Sequence, residues 1–108
     1  MRNDISIELL EKTILGTMIK ENYLIFETEI TQDMFQMAIH RRIFRTMQEL
    51  VGNQQHVDYI TILMKRNPEE VGGANYLASI NGMANLEKFD NYLQLFMERW
   101  QLNQLQRL

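Results

Sequence analysis

The stretch MAIHRRIFRTMQELVG, residues 37–52, decides the fold. Its apolar side chains Ile39, Ile43, Met47 and Leu50, flanked by Phe44, recur at helical spacing and face a core. Arg41, Arg42, Arg45, Gln48 and Glu49 take the other side. The pattern predicts a helix over 37–51, with Gly52 stopping it as glycine past a helix end commonly does.

Toward the N-terminus, Ile7, Leu10, Ile14, Leu15 and Met18 form the apolar stripe of a second helix from Ser6 to about Glu21, with Ser6 as its N-cap. Gly16 lies inside that pattern and costs about 1 kcal/mol relative to alanine, so close approach of a neighbouring helix is the expected reason for it. Asn22 can cap a short helix YLIFETEI, and Thr31 can cap a turn that brings Phe35 inward.

Toward the C-terminus, NQQHVD is a polar connector, and Asp58 caps a helix YITILMKR that ends before Asn67-Pro68. Glu70-Val71-Gly72-Gly73 separates it from a short helix ANYLASI. Asn85 caps the last segment, LEKFDNYLQLFMERWQLNQLQRL, which contains no breaker. At about 1.5 Å per residue it would span roughly 35 Å. A compact domain of this size has a radius of gyration near ~13 Å, so this helix is expected to project past the globular head. Leu86, Phe89, Leu93, Phe96 and Trp100 form a heptad-like seam on it, and Leu95, Leu102 and Leu105 cannot all join that seam. A helix apolar over more than one face needs a second surface to bury.

Composition agrees. The 108 residues suffice for one core, 45% are apolar and 23% charged, and straight-chain helix formers dominate around a single proline. The expectation is an all-α, compact bundle of five to six helices, with residues 1–84 as head and 85–108 as the long C-terminal helix. With no cysteine there is neither a disulfide framework nor a thiolate zinc site. Asp4, Glu8, Glu11 and Lys12 interrupt any leader or membrane span at the N-terminus, so the expected compartment is the cytoplasm. A net charge of −3 argues against a domain whose main task is gripping nucleic acid.

The motifs with chemical potential are few. Gly72-Gly73 is followed by neither the lysine nor the hydroxyl of a phosphate-binding loop, so it reads as a turn. His40 and His56 have no ligand-spaced companions for a metal. His40 reads as a half-buried histidine bonded to backbone. Arg41, Arg42 and Arg45 could touch a DNA backbone, but in an acidic domain they read first as a solvated face. No nucleophile, base and orienting residue come together in the sequence, so no catalytic, metal or cofactor site is expected in this chain.

Set in order, five segments resemble the N-terminal domain of DnaB-type replicative DNA helicases. EKTILGTMI (11–19) looks like that family's opening helix, and DMFQMAIHRRIF (33–44) is similar to its D-x-F-x-x-x-x-H-x-x-I-F. VDYITI, VGGANYLASI and NYLQLFMER match its later segments, while the chain between Thr61 and Val71 is a few residues shorter than the family pattern. The resemblance implies a collar domain that organises a hexameric ring, docks primase and responds to a helicase loader. It implies that residues 85–108 are the first arm of a helical hairpin, and that ATP, Mg and unwinding belong to a RecA-like motor domain outside this chain. On that reading Tyr76, Ile80 and Met83 contribute to the primase-facing surface, with the alternative that Tyr76 packs under the long helix. Leu95, Phe96, Trp100, Leu102 and Leu105 would form the hairpin interface. The rival reading is a free-standing helicase-binding adaptor or inhibitor of the same fold, similar to the C-terminal domain of primase.

Overall fold

The computed structural model describes residues 2–106. Six α-helices follow one another: α1 (Arg2–Lys20), α2 (Leu24–Glu27), α3 (Ala38–Gly52), α4 (Tyr59–Lys65), α5 (Ala74–Asn81) and α6 (Phe89–Gln106). Short 3₁₀ turns at Gln32–Met34 and Pro68–Val71 link them, and no strand occurs among the described residues. The expected all-α bundle is what forms.

Helix α1 runs through the middle, packed against α3, α5 and α6. It begins at Arg2, so Ser6 lies within the helix instead of capping it. From Thr13 to Ile19 every residue is buried, which a surface helix with one apolar stripe would not show. The two threonines in that run satisfy their hydroxyls within the helix, Thr13 donating to the Leu9 carbonyl at 2.9 Å and Thr17 to the Thr13 carbonyl at 2.7 Å. Gly16 faces α5 closely. A Cβ built on it would stand 2.1 Å from the Ile80 carbonyl oxygen, so the glycine is the crossing point the sequence anticipates.

Helix α2 is only four residues long, and Asn22 does not cap it. The Asn22 side chain instead reaches across the chain to Val57, accepting from its N–H at 2.9 Å and donating to its carbonyl at 3.0 Å, while also meeting the Met18 and Ile19 carbonyls at the end of α1. The cap expectation fails because a connector 35 residues away offers more bonds than the local helix start does. Asn22→Ala would orphan the backbone of fully buried Val57. A loss of about 2 kcal/mol is expected, read as a lower urea midpoint at unchanged slope.

Thr31 precedes the 3₁₀ turn, its hydroxyl bonded to the Asp33 carboxylate, and Phe35 is delivered to the core as expected. There it packs 5.2 Å from Phe44 and 4.9 Å from Phe96, ring centroid to centroid. Helix α3 matches its sequence pattern, but Gly52 is its last helical residue, and the positive φ that ends the run, 61°, falls on Gln54. Asp58 and Thr61 form a reciprocal capping box on α4, and Arg66 turns extended ahead of Asn67-Pro68. Gly72 and Gly73, at φ 88° and 89°, make the turn into α5.

Helix α6 starts at Phe89, later than its sequence predicts. Asn85 closes a turn before it, accepting from Lys88 N–H at 3.1 Å and giving its own N–H to Thr17 Oγ1 at 2.9 Å. The helix does not stand out as a free arm. The radius of gyration is 13.2 Å, the value of a compact domain, because α6 lies along α1 and buries Phe89 and Phe96 in the common core.

Candidate functional site

A chain of polar side chains runs through the core from α1 to α5. Glu11, almost fully buried on the apolar side of α1, accepts from the backbone N–H groups of Gln36 at 2.6 Å and Met37 at 3.3 Å. Its Oε1 also meets His40 Nδ1 at 2.7 Å. His40 Nε2 in turn lies 2.7 Å from the Tyr76 hydroxyl, which is also within hydrogen-bond distance of Glu8 Oε2 at 3.2 Å. Lys12 closes the outer end, with Nζ 3.7 Å from Glu8 and 4.6 Å from the centre of the Tyr76 ring.

His40 is therefore fully buried and bonded to two side chains, where the sequence predicts a half-buried histidine on backbone. The legible signal was Glu11. It occupies the stripe of Ile7, Ile14, Leu15 and Met18, and an acid on an apolar stripe needs donors waiting for it.

An acid, an imidazole and a hydroxyl in line invite comparison with a nucleophilic triad. The electrostatics run the other way. Burial, then the charge of Glu8 and the hydrogen bond to it, then the charge of Glu11, all push the Tyr76 phenol above its ordinary pKa. An activated nucleophile needs the reverse shift. The geometry is suited to holding α1, α3 and α5 in register, and it fixes the tyrosine that follows the two glycines. A Cβ on Gly72 would fall 2.6 Å from the Tyr76 ring and 2.9 Å from Ile39 Cδ1, so the glycine makes room for that ring.

The three residues assigned to a primase-facing surface separate. Ile80 is fully buried against α1 and has no surface to present, because Gly16 draws α5 onto α1 at that point. Tyr76 is half-buried and held through its hydroxyl to Glu8 and His40. Met83 lines a groove of about 570 Å³ between α1 and α6. Ile7, Leu9, Leu10, Tyr92, Leu95 and Leu102 complete its apolar wall, with Glu98 and Arg99 also lining it.

The residues assigned to a hairpin interface also divide. Phe96 is a core residue against Phe35, since the heptad-like seam of α6 points inward. Leu95, Leu102 and Leu105 are each exposed over half their surface or more. Trp100 is half-buried, and its indole N–H is enclosed without an acceptor among the described residues.

Two of the three arginines considered for DNA are committed elsewhere. Arg41 donates to the Phe35 and Gln36 carbonyls at 2.7 and 3.0 Å, and Arg42 to the Glu70 carbonyl at 2.9 Å. Among the described residues no group of three or more His, Cys, Asp or Glu could hold a metal ion, and no helix is long and apolar enough to cross a membrane.

These features define a class: an all-helical domain with a pinned core and an apolar groove flanked by exposed leucines. The chain belongs to the DnaB-like helicase N-terminal domain family, whose model matches residues 4–98. Its fold is similar to that of a DnaB-like replicative helicase whose structure was described together with its interactions with primase. The two share 28% identity with a TM-score of 0.81, over 90% of this chain and 24% of that one. The chain thus spans about a quarter of that helicase. No curated protein matches it by sequence.

Proposed function

We propose that this domain works in DNA replication as the oligomerisation scaffold and primase-docking platform of a replicative helicase, in the cytoplasm. ATP-driven unwinding is assigned to a motor domain outside this chain, and a helicase loader is a further partner of the same collar. The observation that carries the proposal is the α1–α6 groove with Leu95 and Leu102 exposed along it. Exposed apolar side chains grouped beside a concave apolar wall mark a surface that binds a partner. Met83 keeps its place in the docking surface, and Leu95, Leu102 and Leu105 keep theirs in the surface available to a second helix.

The test is a Leu95→Glu, Leu102→Glu variant titrated with the helicase-binding domain of the cognate primase in a calorimeter. Affinity is expected to fall at least about tenfold, while the thermal melt moves little because both sites are exposed. Light scattering on the same samples reads self-association separately. Unchanged primase affinity would remove the groove from the docking surface.

A further inference from the structure

The hydrogens of the buried polar chain can be counted. Glu11 takes backbone N–H bonds from Gln36 and Met37, so as an acceptor-only carboxylate it obliges His40 Nδ1 to carry a proton. Only Nε2 is then variable. Beyond it stands the Tyr76 hydroxyl, with one hydrogen and two acceptors in reach: Nε2 at 2.7 Å and Glu8 Oε2 at 3.2 Å. With Nε2 bare, the single hydrogen fills one contact and leaves the other empty. With Nε2 protonated, both fill.

We propose that Glu11, His40, Tyr76 and Glu8 form a proton-operated latch between α1 and α5. When the imidazole is neutral, the Tyr76 hydroxyl donates inward to Nε2. When it takes up a proton, Nε2–H donates to the Tyr76 oxygen, and the hydroxyl hydrogen turns outward to Glu8. One proton enters from solvent, none leaves the tyrosine, and one charge-assisted bond between the helices is gained.

The surroundings suit this exchange. The phenol is held above its ordinary pKa, so it keeps its hydrogen in both states. The charged groups facing the chain are Glu8, Glu11 and Lys12 from α1. From α3 there is His40 itself, with Arg41 bonded to the carbonyls beside the Glu11 donors, and from α5 only Tyr76. An imidazolium would sit between two carboxylates, with Lys12 beyond Glu8. The shorter inward contact is the one the neutral state uses. The sign follows: the Tyr76–Glu8 bond adds stability when His40 is protonated, and that contribution disappears as pH rises and the proton leaves.

A double-mutant cycle of Glu8→Ala and Tyr76→Phe, measured by urea unfolding at about pH 5.5 and about pH 8, tests it. At the lower pH the coupling should amount to about fivefold or more in the unfolding constant, and at the higher pH it should shrink toward onefold. Equal coupling at both values, or stronger coupling at the higher one, overturns the latch. Imidazole ¹⁵N spectra of the wild-type chain decide independently if a variant fails to fold. Both His40 nitrogens should be protonated at the lower pH and only Nδ1 at the higher. A ring that stays neutral, stays charged, or carries its single proton on Nε2 overturns the proposal.

Discussion

Gly16→Ala is expected to destabilise the domain by about 3 kcal/mol, although alanine in a helix interior ordinarily gains about 1 kcal/mol over glycine. The sign reverses because the new methyl would stand 2.1 Å from the Ile80 carbonyl oxygen and 3.1 Å from the Ala84 nitrogen. Both obstacles are backbone, so no side chain can swing aside. Helix α5 and the segment after it would have to move off α1, and fully buried Ile80 and Leu77 would lose packing. Gly82→Ala is the matched control. Its added carbon meets only ordinary contacts at 3.6 and 3.7 Å, and its φ of −70° suits alanine. Urea unfolding of the two variants should give a clearly lowered midpoint for position 16 and little change for position 82. An unchanged or raised midpoint for Gly16→Ala would mean that the two helices do not cross as closely as described.

That glycine also marks where the sequence was readable. Features whose cause lies within a few residues were legible: the Asp58 cap, the stop before Pro68, the turn at Gly72-Gly73 and the inward face of α3. Gly16 was legible as a close approach but not as an approach to Ile80. Where the deciding partner is distant, local rules gave the wrong answer. Asn22 satisfies Val57 instead of capping a helix, and Thr17 is the acceptor for Asn85 across 68 residues.

The candidate site follows the same division. Helical spacing identifies which side chains of α6 share a face, but not what that face meets. The spacing alone allows Phe96 on an external interface, yet it packs on Phe35, while Leu95, Leu102 and Leu105 fall on the face that stays open. Ile80 and Tyr76 are one turn apart on α5, yet one is inside the core and the other is half-buried, a difference set by the crossing with α1. The Glu11–His40–Tyr76 chain joins three helices through side chains alone, and no spacing in one sequence encodes such a meeting.

Glu11 is the hub of that chain, and its removal should have the largest effect of any polar substitution. Glu11→Ala would leave the Gln36 and Met37 N–H groups without their acceptor, and would orphan the His40 Nδ1–H in a place closed to water. Stripping one partner from a buried, hydrogen-bonded ionic group costs about 3–5 kcal/mol, a large share of the ~5–15 kcal/mol that holds a domain folded. Glu11→Gln should fall between, since its carbonyl oxygen can still accept while its NH₂ would face a donor. The expected order of urea midpoints is wild type, then Gln, then Ala. Glu8→Gln should barely register beside them, because Glu8 lies at the wetter end of the chain and retains an oxygen for Tyr76. A circular-dichroism melt in which Glu11→Ala unfolds as late as Glu8→Gln would show that the carboxylate is not what binds the 35–37 connection to α1. The position of His40, and with it the latch to α5, would then need another anchor.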